Sequence, residues 1–144
     1  MDRLCRNIAA VRSWIGSDPM LCMPVKADGY GHGAVPIAQE ALRQGVAVLG
    51  VASVEEGREL RNAGITAPIL LFSTPLPEEL EELAAYRLSP LVGDGEYAKS
   101  LAEVAAKVGV RLAVHLKVDT GMGRLGCEHG EAATLDRYIA GCPS

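Results

Sequence analysis

A chain of 144 residues suffices for one ordinary domain, and 49% hydrophobic against 22% charged residues is a globular balance that argues against disorder. A formal charge of −4 offers no basic field for a polyphosphate backbone, so no nucleic-acid partner is expected. The start, Met1 to Gly16, carries Asp2, Arg3, Arg6 and Arg12 and lacks the apolar core of a signal peptide or membrane span, so the expectation is a cytoplasmic protein.

Helical spacing of apolar residues predicts a helix over Asp2 to Trp14, and the apolar run Met20 to Val25 predicts a first strand. The pattern then repeats: helix over Gly33 to Gln44, strand over Val46 to Val51, helix over Val54 to Ala63, strand over Pro68 to Phe72. It continues with a helix over Pro77 to Tyr86, a strand over Leu88 to Val92, a helix over Glu96 to Val108 and a strand over Val110 to Val118. A last helix is expected over Glu128 to Ala140. Gly45, Gly64 and Gly109 are placed to end helices in the left-handed conformation, and Ser53 and either Thr74 or Ser73 to cap the ones that follow. Four scattered cysteines, Cys5, Cys22, Cys127 and Cys142, have no spacing for a metal and read as reduced, mostly buried thiols.

Strands that read as unbroken apolar runs fit a parallel sheet covered by helices. The fold class is therefore α/β, with about five parallel strands and helices outside. Two architectures remain open on periodicity alone: part of a (β/α)8 TIM-type barrel, which needs eight strands and about 250 residues, or an open doubly wound sheet.

The most informative stretch is Val25-Lys-Ala-Asp-Gly-Tyr-Gly-His-Gly33, in which Lys26 leaves an apolar strand and three glycines follow. Barrel enzymes carry their chemistry at the carboxyl ends of strands. A lysine there suits Schiff-base chemistry, which needs an amine that is neutral part of the time, and Tyr30 offers a hydroxyl to a phosphate oxygen. The bland reading is a strand-end lysine in solvent beside a glycine turn.

A second strand runs into a glycine-rich loop at Val114-His-Leu-Lys-Val-Asp-Thr-Gly-Met-Gly-Arg-Leu-Gly126. Alternation puts His115, Lys117 and Asp119 on one side. Arg124 can donate a fork of hydrogen bonds to an anionic oxygen. The competing reading is a structural ion pair of Lys117 with Asp119 or a neighbour. No Ser or Cys is placed beside a histidine as in a hydrolytic triad.

These stretches are similar to alanine racemases. The family segment Val-Lys-Ala-Asp-Ala-Tyr-Gly-His-Gly is matched from Val25 to Gly33 with Gly29 for the second alanine, and Lys-Val-Asp-Thr-Gly-Met-Gly-Arg-Leu-Gly from Lys117 to Gly126. Gly50-Val-Ala-Ser-Val-Glu-Glu56, Leu60-Arg-Asn-Ala-Gly64 and Ala67-Pro-Ile-Leu70 extend the likeness over nearly the whole chain. The resemblance implies the amino-terminal part, residues 1–144, of a (β/α)8 barrel that binds pyridoxal 5′-phosphate (PLP), with the remaining strands and a carboxyl-terminal β domain absent. It implies a cytoplasmic homodimer that interconverts L-alanine and D-alanine by two-base proton exchange, making D-alanine for cell-wall precursors.

Carried over by position, the resemblance makes Lys26 the catalytic lysine that bonds to PLP and Tyr30 a phosphate ligand. Arg124 becomes the contact to the cofactor's phenolic oxygen and the substrate carboxylate, and Lys117 a lysine that is often carbamylated. The family's opposite-face tyrosine and pyridine-contacting arginine have no counterpart up to Ser144, so the chain alone is expected to be inactive. Pro24, in place of the usual valine, is expected to remove one ladder donor from a central strand. A racemase of broader specificity and a non-catalytic PLP-binding barrel module are the alternatives. Half a barrel is expected to expose strand edges and associate.

Overall fold

A computed structural model describes residues 1–142, which fall into two compact units, Met1–Phe72 and the stretch from Ser73 onward. The expected domain span runs to Ser144, and its last two residues, Pro143 and Ser144, lie outside the described ones.

In the first unit, helix α1 (Asp2–Ile15) precedes strand β1 (Cys22–Pro24). A single turn, α2 (Lys26–Gly31), and helix α3 (Ala34–Arg43) lead to β2 (Val48–Val51), α4 (Val54–Asn62) and β3 (Ile69–Leu71). The strands are parallel and lie in chain order, Met23 opposite Leu49 and Gly50 opposite Leu70. Leu49, Val51, Ile69 and Leu71 are fully buried, as are Ala38, Ala41, Val54 and Leu60 of α3 and α4. That is the strand-in, helix-out layering that unbroken apolar runs demand.

Local chemistry starts and stops these elements. Ser53 Oγ accepts the N–H of Glu56 at 3.2 Å and caps α4. Gly45 and Gly64 follow their helices at φ of 85° and 82°. Arg12, at the end of α1, donates to Pro19 O at 2.7 Å and to Gly45 O at 3.1 Å, tying the helix to two loops.

Pro24 does not weaken the β1–β2 pairing. Val25 N–H donates to Gly50 O at 2.8 Å, so the nitrogen one residue earlier faces the opposite edge, where no described strand pairs with β1. Cys22, in β1, is exposed rather than buried, and of the four free cysteines only Cys127 is buried.

In the second unit, a 3-10 turn (Pro77–Glu79) leads into α5 (Leu80–Ala85), β4 (Ser89–Val92), α6 (Gly95–Val108), β5 (His115–Leu116) and α7 (Ala132–Ala140). Neither Ser73 nor Thr74 caps the first helix. Pro77 fixes the start, and Glu79 Oε2 reaches back to accept the N–H of Leu76 at 2.7 Å. Asp94 caps α6 through the N–H of Tyr97 at 2.8 Å, and Gly109 ends it in the left-handed conformation.

Strand β5 is far shorter than the apolar run Val110 to Val118. Only Leu91–His115 and Val92–Leu116 pair with β4, which itself ends at Val92. Beyond that point the chain pairs with itself.

Candidate functional site

Immediately after the last β1–β2 rung, Lys26 leaves the sheet half-buried. The turn α2 that follows is left-handed: φ and ψ are 50° and 51° at Ala27, 52° and 48° at Asp28, 61° and 36° at Gly29, 56° and 39° at Tyr30. Only one of those four is glycine. A left-handed helical conformation costs an L-residue about 1–2 kcal/mol. Such a run persists where surrounding bonds over-determine it.

Those bonds are specific. Gly29 N–H donates to Val25 O at 2.8 Å, and Gly33 N–H to Asp28 O at 2.9 Å. Asp28 Oδ1 accepts the N–H of Ala34 at 2.7 Å, which anchors the turn to the start of α3. Gly29 is buried, and a Cβ there would sit 3.4 Å from the Ala34 backbone. The glycine suits the left-handed conformation at a point where the turn is in contact with α3.

Glu56 supplies a bond that motif reading overlooked. Its Oε1 accepts the N–H of Ala27 and its Oε2 the N–H of Ala52, each at 2.7 Å. One carboxylate thus joins the exit of β1 to the exit of β2. The visible signal was Ser53-Val-Glu-Glu56, a capping-box pattern, but that pattern predicts a return to the N–H of the cap residue, not to a loop 29 residues away.

Lys26 and Tyr30 occupy this one turn. The Lys26 amine has no hydrogen bond or ion pair among the described residues, and Tyr30 is 60% exposed. Amine and hydroxyl are therefore both available to a ligand.

In the second unit, Lys117 N–H donates to Val92 O at 2.8 Å, and the chain then closes a loop upon itself. Cys127 N–H donates to Lys117 O and Asp119 N–H to Cys127 O, both at 2.9 Å. Inside the loop, Asp119 Oδ1 accepts from Gly121 at 3.0 Å and Met122 at 2.8 Å, and Oδ2 from Gly123 at 2.8 Å. The N–H of Gly121, joined by those of Gly123 and Met122, holds the carboxyl below its ordinary range.

The suspected Lys117–Asp119 pair is not the organising contact. Lys117 Nζ donates instead to Val118 O at 2.9 Å, and Asp119 is engaged by backbone. Lys117 and Arg124 share the closed loop, Lys117 half-buried and Arg124 exposed. His115 is exposed, and His32 and His129 are exposed loop residues. Close backbone approach locks the loop base: a Cβ on Gly93 would lie 2.8 Å from Gly126 Cα, and one on Gly126 2.7 Å from Asp119 N.

Parallel strands in chain order, each followed by a helix, with polar glycine-rich loops at the carboxyl ends of β1 and β5, define a protein of the parallel α/β class. All 144 residues match the family described as alanine racemase, N-terminal domain, and the chain belongs to that family. It is 47% identical over 135 residues to an alanine racemase of Treponema denticola, covering 94% of this chain and 36% of the relative. It is 45% identical over 141 residues to one of Synechocystis, covering 97% and 38%. A solved alanine racemase of Clostridium difficile matches with a TM-score of 0.95 at 33% identity, over 99% of this chain and 38% of that one. That likeness favours the barrel portion over an open doubly wound sheet. The chain spans little more than a third of the length of these relatives.

Proposed function

We propose that this chain supplies the cofactor lysine of a PLP-dependent alanine racemase that interconverts L-alanine and D-alanine. The observation that carries the reading is Lys26 itself: an unpartnered, half-buried amine at the carboxyl end of β1, on a turn locked in a strained conformation. Strain held at one defined place is a mark of a functional site.

The residues present fit the group. A free amine can bond covalently to the aldehyde, and the exposed Tyr30 hydroxyl can donate to a phosphate oxygen. When bound, PLP supplies an electron sink that makes the substrate α-proton acidic. Once the substrate amine has taken its place on the aldehyde, the released Lys26 amine would take and return that proton on one face as a general base and acid. Arg124 pairs its guanidinium with the substrate carboxylate and the cofactor's phenolic oxygen. Lys117 would orient Arg124 once its neutral amine adds carbon dioxide and loses a proton to become a carbamate anion, a change that removes like-charge repulsion between them.

The full-length protein, on this reading, is a cytoplasmic homodimer making D-alanine for cell-wall precursors, and this portion alone is inactive. The test is a PLP titration of the purified chain, borohydride reduction and peptide mapping, with Lys26→Ala as control. A pyridoxyl group confined to Lys26 supports the assignment. Equal labelling of several lysines, unchanged by Lys26→Ala, would sink it.

A further inference from the structure

We propose that Glu56 is the positioning residue for Lys26, an inference that rests on Lys26 being the cofactor lysine. Its carboxylate fixes the backbone from which that amine is presented.

Ala27 is the residue directly after Lys26, and its N–H finds no partner within the turn. The bonds that close the ends of the turn run from Gly29 to Val25, from His32 to Gly29 and Asp28, and from Gly33 to Asp28. Glu56 Oε1 takes the Ala27 N–H at 2.7 Å, at the point where the left-handed run begins. A hydrogen bond to an ionised carboxylate is stronger than a neutral one, so this contact is well suited to hold a strained peptide.

The second oxygen is equally telling. It accepts the N–H of Ala52, just past β2, so the strand to which β1 is paired also holds the other end of the brace. Glu56 sits at the third position of α4, where a capping-box glutamate would return to the Ser53 N–H. Ser53 performs its half of that box, accepting the Glu56 N–H, while the Glu56 side chain is diverted to the lysine turn. Capping therefore does not account for this carboxylate.

Chemistry selects glutamate here. Two N–H groups need two acceptor oxygens; glutamine has one and would set its NH2 against the other N–H. Aspartate is one methylene shorter.

The experiment compares the wild-type chain with Glu56→Gln, Glu56→Ala and Ser53→Ala, the last removing the cap of the same helix without touching Ala27. Two quantities are read: amide hydrogen exchange at Ala27 without cofactor, and the rate of borohydride-trapped pyridoxyl labelling of Lys26 across pH. Glu56→Gln is expected to raise Ala27 exchange and to slow Lys26 labelling at least about tenfold, with Ser53→Ala staying near wild type in both at a lower Tm. Should Glu56→Ala fail to fold, Glu56→Gln decides.

Labelling slowed equally by Ser53→Ala would make Glu56 merely structural and overturn the proposal, as would wild-type labelling in Glu56→Gln. A wild type that never labels Lys26 overturns the cofactor reading as well. That outcome is told apart by Ala27 exchange, which still responds to Glu56→Gln.

Discussion

Asp28 Oδ1 accepts the N–H of Ala34 across 2.7 Å, so the turn that follows Lys26 also starts helix α3. The first N–H groups of a helix have no partner inside it, and a side-chain oxygen that meets one stabilises by about 1 kcal/mol. Asp28 does so from six residues upstream while its own backbone is left-handed. Asp28→Ala is expected to lower stability by about 1–2 kcal/mol in urea unfolding, and Asp28→Asn, which keeps one oxygen acceptor, by less. Equal losses in the two variants would show that the cap contributes nothing.

Three glycines differ in what surrounds them, and alanine at each should cost accordingly. At Gly29 the new Cβ would stand 3.4 Å from Ala34, ordinary contact, so the penalty is the left-handed conformation alone, about 1 kcal/mol. At Gly50 it would fall 2.3 Å from the Phe72 ring, which can swing aside, for about 1–3 kcal/mol. At Gly126, with φ of 118°, it would meet Asp119 N at 2.7 Å and Lys117 O at 2.9 Å, backbone that cannot yield. Thermal unfolding should rank the losses Gly126 above Gly50 above Gly29. Gly126→Ala behaving like Gly29→Ala would mean the 117–127 loop is not closed as described.

The order of strands and helices was legible because burial on both sheet faces writes itself as apolar runs, and helix ends at Gly45, Gly64 and Gly109 because those positions need a positive φ. The left-handed turn was not. Ala27 and Tyr30 have no local preference for that region and Asp28 only tolerates it; a carboxylate from α4 and the contact of Asp28 with the start of α3 hold the turn there, and neither is written in a local propensity. The reach of β5 was overestimated because apolar content marks a strand candidate but pairing defines one, and β4 ends at Val92. Asp119 looked like half of an ion pair because charge is visible in a sequence and backbone N–H groups are not.

Cys5 Sγ donates to Glu40 Oε1 at 3.0 Å, joining α1 to α3. The hydrogen bond to Glu40, with burial and the nearby negative charge, raises the Cys5 thiol pKa and keeps it from forming the reactive thiolate. Glu40→Gln is expected to speed alkylation of Cys5 by iodoacetamide near pH 8, with Cys22 as internal reference. An unchanged Cys5-to-Cys22 ratio would show that the carboxylate does not restrain the thiol.

Two carboxylates set how the fold responds to acid. Glu40 is held to about 2 against an ordinary 4.5 by the Cys5 thiol first, then by Gln44 and Arg43. Asp119 is lowered from 3.8 chiefly by the Gly121 N–H. A folded-state pKa below the unfolded one adds stability that is complete above the unfolded value and disappears as pH falls through the folded one. Tm should therefore be level near neutrality and drop steeply from pH 4.5 toward pH 2, the interval between the two Glu40 values. Glu40→Gln should start from a lower Tm at pH 7 and fall less over that interval, because glutamine has no carboxylate to protonate there. Asp119→Asn should flatten the part below 3.8 and leave the rest. If the Glu40→Gln curve ran parallel to wild type throughout, the acid sensitivity would belong to other carboxylates, and the contact between α1 and α3 would not titrate with the fold.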